Sequence, residues 1–141
     1  HGCLESFSSG TAIKNMAKKA IENNESNFLQ EFAKKEGEIN GEVVSLAAGE
    51  GDKKALEIFK KAGYYLGIGL ANLVNIFNPE LIILGGGVMK SKEYFLPEAK
   101  KVLKEKALKA PVDIVKIREA ILGDNIGVKG AIVKKIKKVE G

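Results

Sequence analysis

Apolar residues at Ile13, Met16, Ala17 and Ala20 recur at the three- and four-residue spacing of one helical face. Ser8, Ser9 and Gly10 precede this run and Asn23-Asn24 follow it, so a helix is expected from near Thr11 to the asparagines. A second helix is expected after Ser26, with Phe28, Phe32 and, as a further candidate, Leu29 turned inward, and with its stop near Gly37. A short helix should span Glu42 to Ala48 and end at Gly49. Asp52 then stands where a helix cap is wanted, ahead of a long helical run reaching about Phe77.

That long run aligns Ala55, Phe59, Ala62, Leu66, Leu70, Leu73 and Phe77 on one stripe. Beyond Ala62 the residues are apolar nearly all round, which predicts deep burial of its second half. Gly63, Gly67 and Gly69 each cost a helix roughly 1 kcal/mol relative to alanine. A neighbouring element that comes too close for side chains would explain them.

Asn78-Pro79-Glu80 forbids continuation of the helix. Leu81 to Leu84 is short and wholly apolar, the pattern of a strand buried on both faces. Gly85, Gly86 and Gly87 follow at once. Helical segments are expected from Ser91, with a break around Pro97, to about Lys109. A second strand is expected over Val112 to Ile117 after Pro111, and a closing helix from about Val128 to Val139, with Ala131, Ile132 and Ile136 inward. The reading is a single α/β domain over 1–141, helix-rich and with too few strands for a complete sheet.

Composition narrows the function. Hydrophobic residues make up 45% and charged residues 29% of the 141-residue chain, which is globular and not a disordered tail. The net charge is +5, but Arg118 is the only arginine among 23 basic residues. Nucleic-acid readers lean on arginine for bidentate contacts, and these lysines alternate with glutamates as on solvated helix faces, so no nucleic-acid partner is expected through this segment. Cys3 is the only cysteine, which excludes an internal disulfide and fits a reducing, cytoplasmic setting. The longest apolar stretch, Gly67 to Leu84, is broken by asparagines, Pro79 and Glu80, so no membrane span is expected. The chain opens on His1 rather than methionine, and sequence upstream of it is expected.

Three glycines at the end of a buried strand let a ligand approach the backbone, or simply make a tight turn. Val88 and Met89 follow them, not the lysine and hydroxyl residue of a phosphate-cradling loop. Cys3 is either a small buried apolar residue or a metal ligand that needs partners from elsewhere. Glu5 either sits at a helix start or binds a ligand.

Taken together these segments are more specific. Gly2-Cys3-Leu4-Glu5 with Ser9-Gly10-Thr11-Ala12-Ile13 resembles the tail of the signature of the ROK family of sugar kinases and sugar-responsive repressors. Phe77-Asn78-Pro79-Glu80-Leu81-Ile82-Ile83-Leu84-Gly85-Gly86-Gly87-Val88 resembles that family's adenosine-contacting segment. Gly123-Asp124-Asn125-Ile126-Gly127-Val128-Lys129-Gly130-Ala131 is similar to its closing glycine-rich helix entry. Order and spacing agree over essentially the whole chain.

The resemblance implies part of the C-terminal lobe of an actin-like, ribonuclease H-like ATPase fold. It makes Cys3 the last ligand of a structural zinc and Glu5 a hydrogen-bond partner of a sugar hydroxyl. It also sets Gly85, Gly86 and Gly87 on the adenosine side of an ATP cleft. His1 falls in the variable pair before Gly2 and is not counted as a ligand. In the intact protein it implies hexose, ATP, magnesium and zinc as ligands, with assembly as a homo-oligomer. The family's catalytic aspartate, phosphate loop and other zinc ligands all lie upstream of His1, so no catalytic residue is assigned here and the chain alone is expected to be inactive. The leading expectation is the C-terminal portion of an ATP-dependent, glucokinase-like hexose kinase. The alternatives are the same portion of a sugar-sensing repressor, or a helical binding and dimerisation module without ligand chemistry.

Overall fold

The computed structural model describes residues 10–108 and 115–119, and the backbone of 130–134. Three short helices come first: α1 (Gly10–Glu22), α2 (Asn27–Glu36) and α3 (Gly41–Gly49). Their ends follow from local chemistry. Ser26, in extended backbone, accepts the Leu29 N–H on its hydroxyl at 3.0 Å and so starts α2. Gly37, at φ 74°, closes α2 in the left-handed conformation that glycine adopts without strain. Asn40 starts α3 by accepting the Val43 N–H at 2.9 Å.

The expected inward face of α2 is corrected. Leu29 is fully buried, whereas Phe28 is 44% exposed and stacks on the half-buried Phe32 with ring centroids 6.4 Å apart. The inward line runs through Leu29, Phe32 and Ala33 at three- and four-residue steps, which turns Phe28 aside.

The long helix α4 spans Lys53–Phe77, capped by Asp52 as expected. One Asp52 carboxylate oxygen accepts both the Ala55 N–H at 2.9 Å and the Ser26 hydroxyl at 3.0 Å. Two helix caps are thereby joined, and the α1–α2 turn is fixed to the start of α4. Lys54 reinforces the junction, 2.7 Å from Glu25 and 3.4 Å from Glu57. The hydrogen bond that Lys54 donates to Glu25 holds its ammonium above the ordinary pKa, against a smaller desolvation effect.

The second half of α4 is not buried all round. Gly63, Leu66, Gly67, Leu70, Ala71 and Val74 are buried, but Tyr64, Ile76 and Phe77 are exposed, the last two by 72% and 55%. Asn78, at φ 46° and ψ 51°, ends the helix and turns the chain back into β1 (Leu81–Gly85). In β1, Ile82 and Leu84 enter the core while Leu81, Ile83 and Gly85 stay half-buried. The expectation of burial on both faces therefore fails: the helices press on one face of the strand and leave the other partly open.

A single turn of 3₁₀ helix, Gly87–Ser91, leads into α5 (Lys92–Lys106). The break expected at Pro97 does not occur, and the helix ends earlier than Lys109. Pro97 lies near the start of α5 and removes one donor, the one that would reach Glu93. Packing offsets that loss, because Phe95, Ala99, Val102 and Leu103 are all buried along α5. They meet α4 at its glycines. A Cβ on Gly63 would collide with the Phe95 carbonyl oxygen, and one on Gly67 would lie 2.6 Å from both the Ala99 oxygen and Val102 Cβ. Further along, Asn75 Oδ1 accepts the Leu108 N–H at 2.8 Å. These pairings advance together, so α4 and α5 run side by side in the same direction and β1 returns between their sequences.

β2 (Lys116–Glu119) pairs parallel with β1, Leu81 opposite Lys116 and Leu84 opposite Glu119. A parallel pair needs a crossover, and α5 supplies it. Of the strand expected over Val112 to Ile117, Lys116 and Ile117 are in β2, and 112–114 lie outside the described residues. The expected closing helix is corrected where it is described: Gly130–Lys134 forms β3, antiparallel to β1, with Ile82 opposite Val133. Ile132 and Val133 are β-branched and favour extended backbone, and the second edge of β1 offers them a ladder of partners. The sheet order is β2-β1-β3.

Candidate functional site

The carboxyl ends of the parallel strands β1 and β2 lie together beside the start of α5, the position where open α/β sheets form ligand crevices. Gly85 closes β1 opposite Gly130 of β3. Gly86 then takes φ 103° and ψ 169°, a backbone region essentially reserved for glycine. Its carbonyl oxygen accepts the Met89 N–H at 3.1 Å, which fixes the tight turn.

Gly87 differs from Gly86. It has no positive φ, and a Cβ built on it would meet nothing within 4 Å. Neither backbone strain nor a crowded neighbour among the described residues demands glycine there. Val88 and Met89 pack against the core and hold the turn down, so the exposed Gly87 faces open space. Of the two explanations open to the sequence, a tight turn accounts for Gly86 and leaves Gly87 free for close backbone approach by a ligand.

Lys92 and Glu119 frame this end of the sheet, with Lys92 Nζ 2.6 Å from Glu119 Oε1. The pair ties the first residue of α5 to the last of β2. Being about half exposed, it contributes at most ~1 kcal/mol to stability. Sequence reasoning missed it, because the two residues come together only once the β1–β2 register is known.

Of the remaining expected site residues the structure gives no position. Cys3 and Glu5, like His1, lie outside the described residues. Asp52 is a helix cap, shared with Ser26. Among the described residues no group of three or more His, Cys, Asp or Glu side chains is placed to hold a metal ion. No helix among them is long and apolar enough to cross a membrane. Among the described residues the Glu38 carboxyl, far from this turn in sequence, is held below its ordinary pKa by the hydrogen bond from Lys14 at 2.6 Å.

The described residues thus form a helix-rich α/β unit with an open glycine turn at the carboxyl end of its central strand. Comparison with known proteins makes this specific: the ROK family model matches residues 1–137, and the chain belongs to that family. It is 36% identical over 129 residues to a glucokinase of Halalkalibacterium halodurans, covering 92% of this chain and 39% of that protein. It is 32% identical over 131 residues to a xylose repressor of Caldicellulosiruptor bescii, covering 93% of this chain and 33% of that protein. The chain therefore spans well under half the length of these relatives.

Solved structures agree. A ROK family transcriptional regulator, a homologue of the E. coli MLC protein, superposes with TM-score 0.71 at 30% identity over 84% of this chain and 29% of its own. A ROK glucokinase from Streptomyces griseus, solved with glucose and AMPPNP, gives TM-score 0.70 at 29% identity over 87% of this chain and 41% of its own. The fold is that of ROK sugar kinases and regulators, proteins of actin-like ATPase architecture.

Proposed function

We propose that this chain is part of the C-terminal lobe of an ATP-dependent, glucokinase-like hexose kinase, to which it contributes the adenosine side of the nucleotide cleft and one sugar contact. The observation that carries the reading is Gly87, kept without a side chain at the carboxyl end of β1 although nothing in the described chain crowds it. A flat purine ring needs such an opening. The similarity to a glucokinase at 36% identity, and to one solved with AMPPNP, supports the same choice.

In this reading Gly85, Gly86 and Gly87 lie along the adenosine, and the Lys92–Glu119 pair keeps α5 and β2 together beneath it. Glu5 accepts hydroxyl protons from the hexose, a task that suits a carboxylate with several acceptor positions. Cys3 would be one ligand of a structural zinc completed by residues outside this chain, since thiolate is a preferred zinc donor and one thiolate is not a site. Magnesium would accompany the nucleotide phosphates and neutralise their charge. General-base catalysis and the grip on the terminal phosphates come from the remainder of the protein, and the complete molecule assembles as a cytoplasmic homo-oligomer.

A second reading rests on the similarity to the xylose repressor and to the MLC-like regulator: the same lobe serving as a sugar sensor in a DNA-binding protein. Nucleotide binding separates the two. In the complete protein, Gly87→Val would fill the open space beside the turn and weaken ATP on the order of tenfold, about 1.4 kcal/mol, with hexose affinity unchanged. Titration calorimetry with each ligand checks this. Absence of measurable ATP binding by the complete wild-type protein would favour the sensor.

A further inference from the structure

Asn40 and Gly41 form the start of α3, and their chemistry goes beyond ligand binding. Asparagine followed by glycine is the pair in which the next backbone nitrogen reaches the side-chain amide with least hindrance, because glycine puts no Cβ beside that nitrogen. Asn40 is exposed, Gly41 is half-buried, and among the described residues a Cβ at Gly41 would meet nothing within 4 Å. What restrains it is the cap. Asn40 Oδ1 accepts the Val43 N–H at 2.9 Å while the Asn40 backbone holds φ −139° and ψ 178°. In that arrangement the amide group points along the helix start, and Gly41 N–H is part of the first turn.

We propose that Asn40–Gly41 is a site of spontaneous deamidation in this protein, with a rate set by opening of the α3 cap. When the cap opens, the Gly41 nitrogen gives up its proton and attacks Asn40 Cγ. The N–Cγ bond forms, the Cγ–Nδ2 bond breaks, and the amide nitrogen leaves as ammonia with that proton. Water then opens the cyclic imide. Attack at Cγ leaves an aspartate at this position, and attack at the main-chain carbonyl carbon leaves an isoaspartyl linkage. No oxidant or reductant is involved.

The two products act differently on the fold. An aspartate retains the acceptor and adds negative charge at a helix N-terminus, where it is favoured. An isoaspartyl linkage lengthens the main chain by one carbon between Ile39 and Val43. Both of these residues are buried, as is Val44, so the start of α3 would be pulled out of register with its neighbours.

The test is ageing of the purified chain at mildly alkaline pH and physiological temperature, followed by peptide mapping for the mass gain of amide loss and by enzymatic methylation of isoaspartyl groups. The folded chain should convert at Asn40. Conversion should quicken at least about fivefold in urea, the population factor that loss of one helix cap carries. Gly41→Ala, which the open surroundings accommodate, should slow it several-fold in the folded chain, and Asn40→Ser should keep the cap and abolish it. Equal rates with and without urea would overturn gating by the cap. Unaltered Asn40 in the folded chain, under conditions that convert the unfolded one, would overturn the site itself.

Discussion

Replacing Gly63 by alanine tests the packing on which the glycine turn depends. The added methyl group would point at the Phe95 carbonyl oxygen, with Glu98 Cβ at 3.1 Å. A backbone oxygen cannot rotate away, so relief requires α5 to back off from α4 by roughly the shortfall from normal van der Waals contact, about 1 Å. Overpacking of this kind costs about 1–3 kcal/mol, and the rigid neighbour puts Gly63 toward the upper end. Alanine returns roughly 1 kcal/mol through its better helix propensity. The net expectation is destabilisation by about 2 kcal/mol, or about 4–8 °C in Tm for a domain of this size. Urea unfolding followed by circular dichroism measures it. Gly41→Ala is the control, a helical glycine with open surroundings, and should lie within about 0.5 kcal/mol of wild type. A Gly63→Ala chain as stable as its parent would refute the close contact between α4 and α5. On the kinase reading the same change should also weaken nucleotide binding in the complete protein, because the 3₁₀ turn after Gly86 leads directly into α5.

Two further outcomes are expected. Asp52→Ala removes the α4 cap and leaves the nearly buried Ser26 hydroxyl without its acceptor, for a loss of about 2 kcal/mol in urea unfolding; Asp52→Asn, which keeps an acceptor, should recover most of it. Glu5→Gln in the complete protein should weaken hexose binding by roughly 1.5–3 kcal/mol through loss of a charge-assisted hydrogen bond, while unchanged affinity by calorimetry would make Glu5 structural.

Helices were the most legible part of this sequence because their signals are local. Ser26, Gly37, Gly49 and Asp52 mark starts and stops within one turn of the residues they govern. The glycines of α4 also announced a close neighbour, and Gly63 and Gly67 have one in α5. Phase was harder. Phe28 is large and apolar, yet the cap at Ser26 sets the helix so that Leu29 points inward. Pro97 read as a break because its local cost is clear, whereas the burial that offsets it comes from α4, distant in sequence.

Strand pairing was least legible. Gly130–Lys134 carries a pattern that suits a helix start, and only the vacant edge of β1 selects extended backbone. Residues of the candidate site divide in the same way. Gly85 to Gly87 could be placed from their position after an apolar strand, but the difference between Gly86, held by its φ, and Gly87, held by nothing in the described chain, needs coordinates. Lys92 and Glu119 meet through a register that no single-sequence pattern records.

The most direct test of the central claim is hexose-dependent ADP release, measured for the complete protein and for this chain alone with ATP, magnesium and a panel of hexoses. The kinase reading predicts turnover by the complete protein and none by the chain above a no-protein control, since it assigns general-base help and positioning to the rest of the protein. A complete protein that binds a sugar and DNA but releases no ADP with any hexose would contradict it.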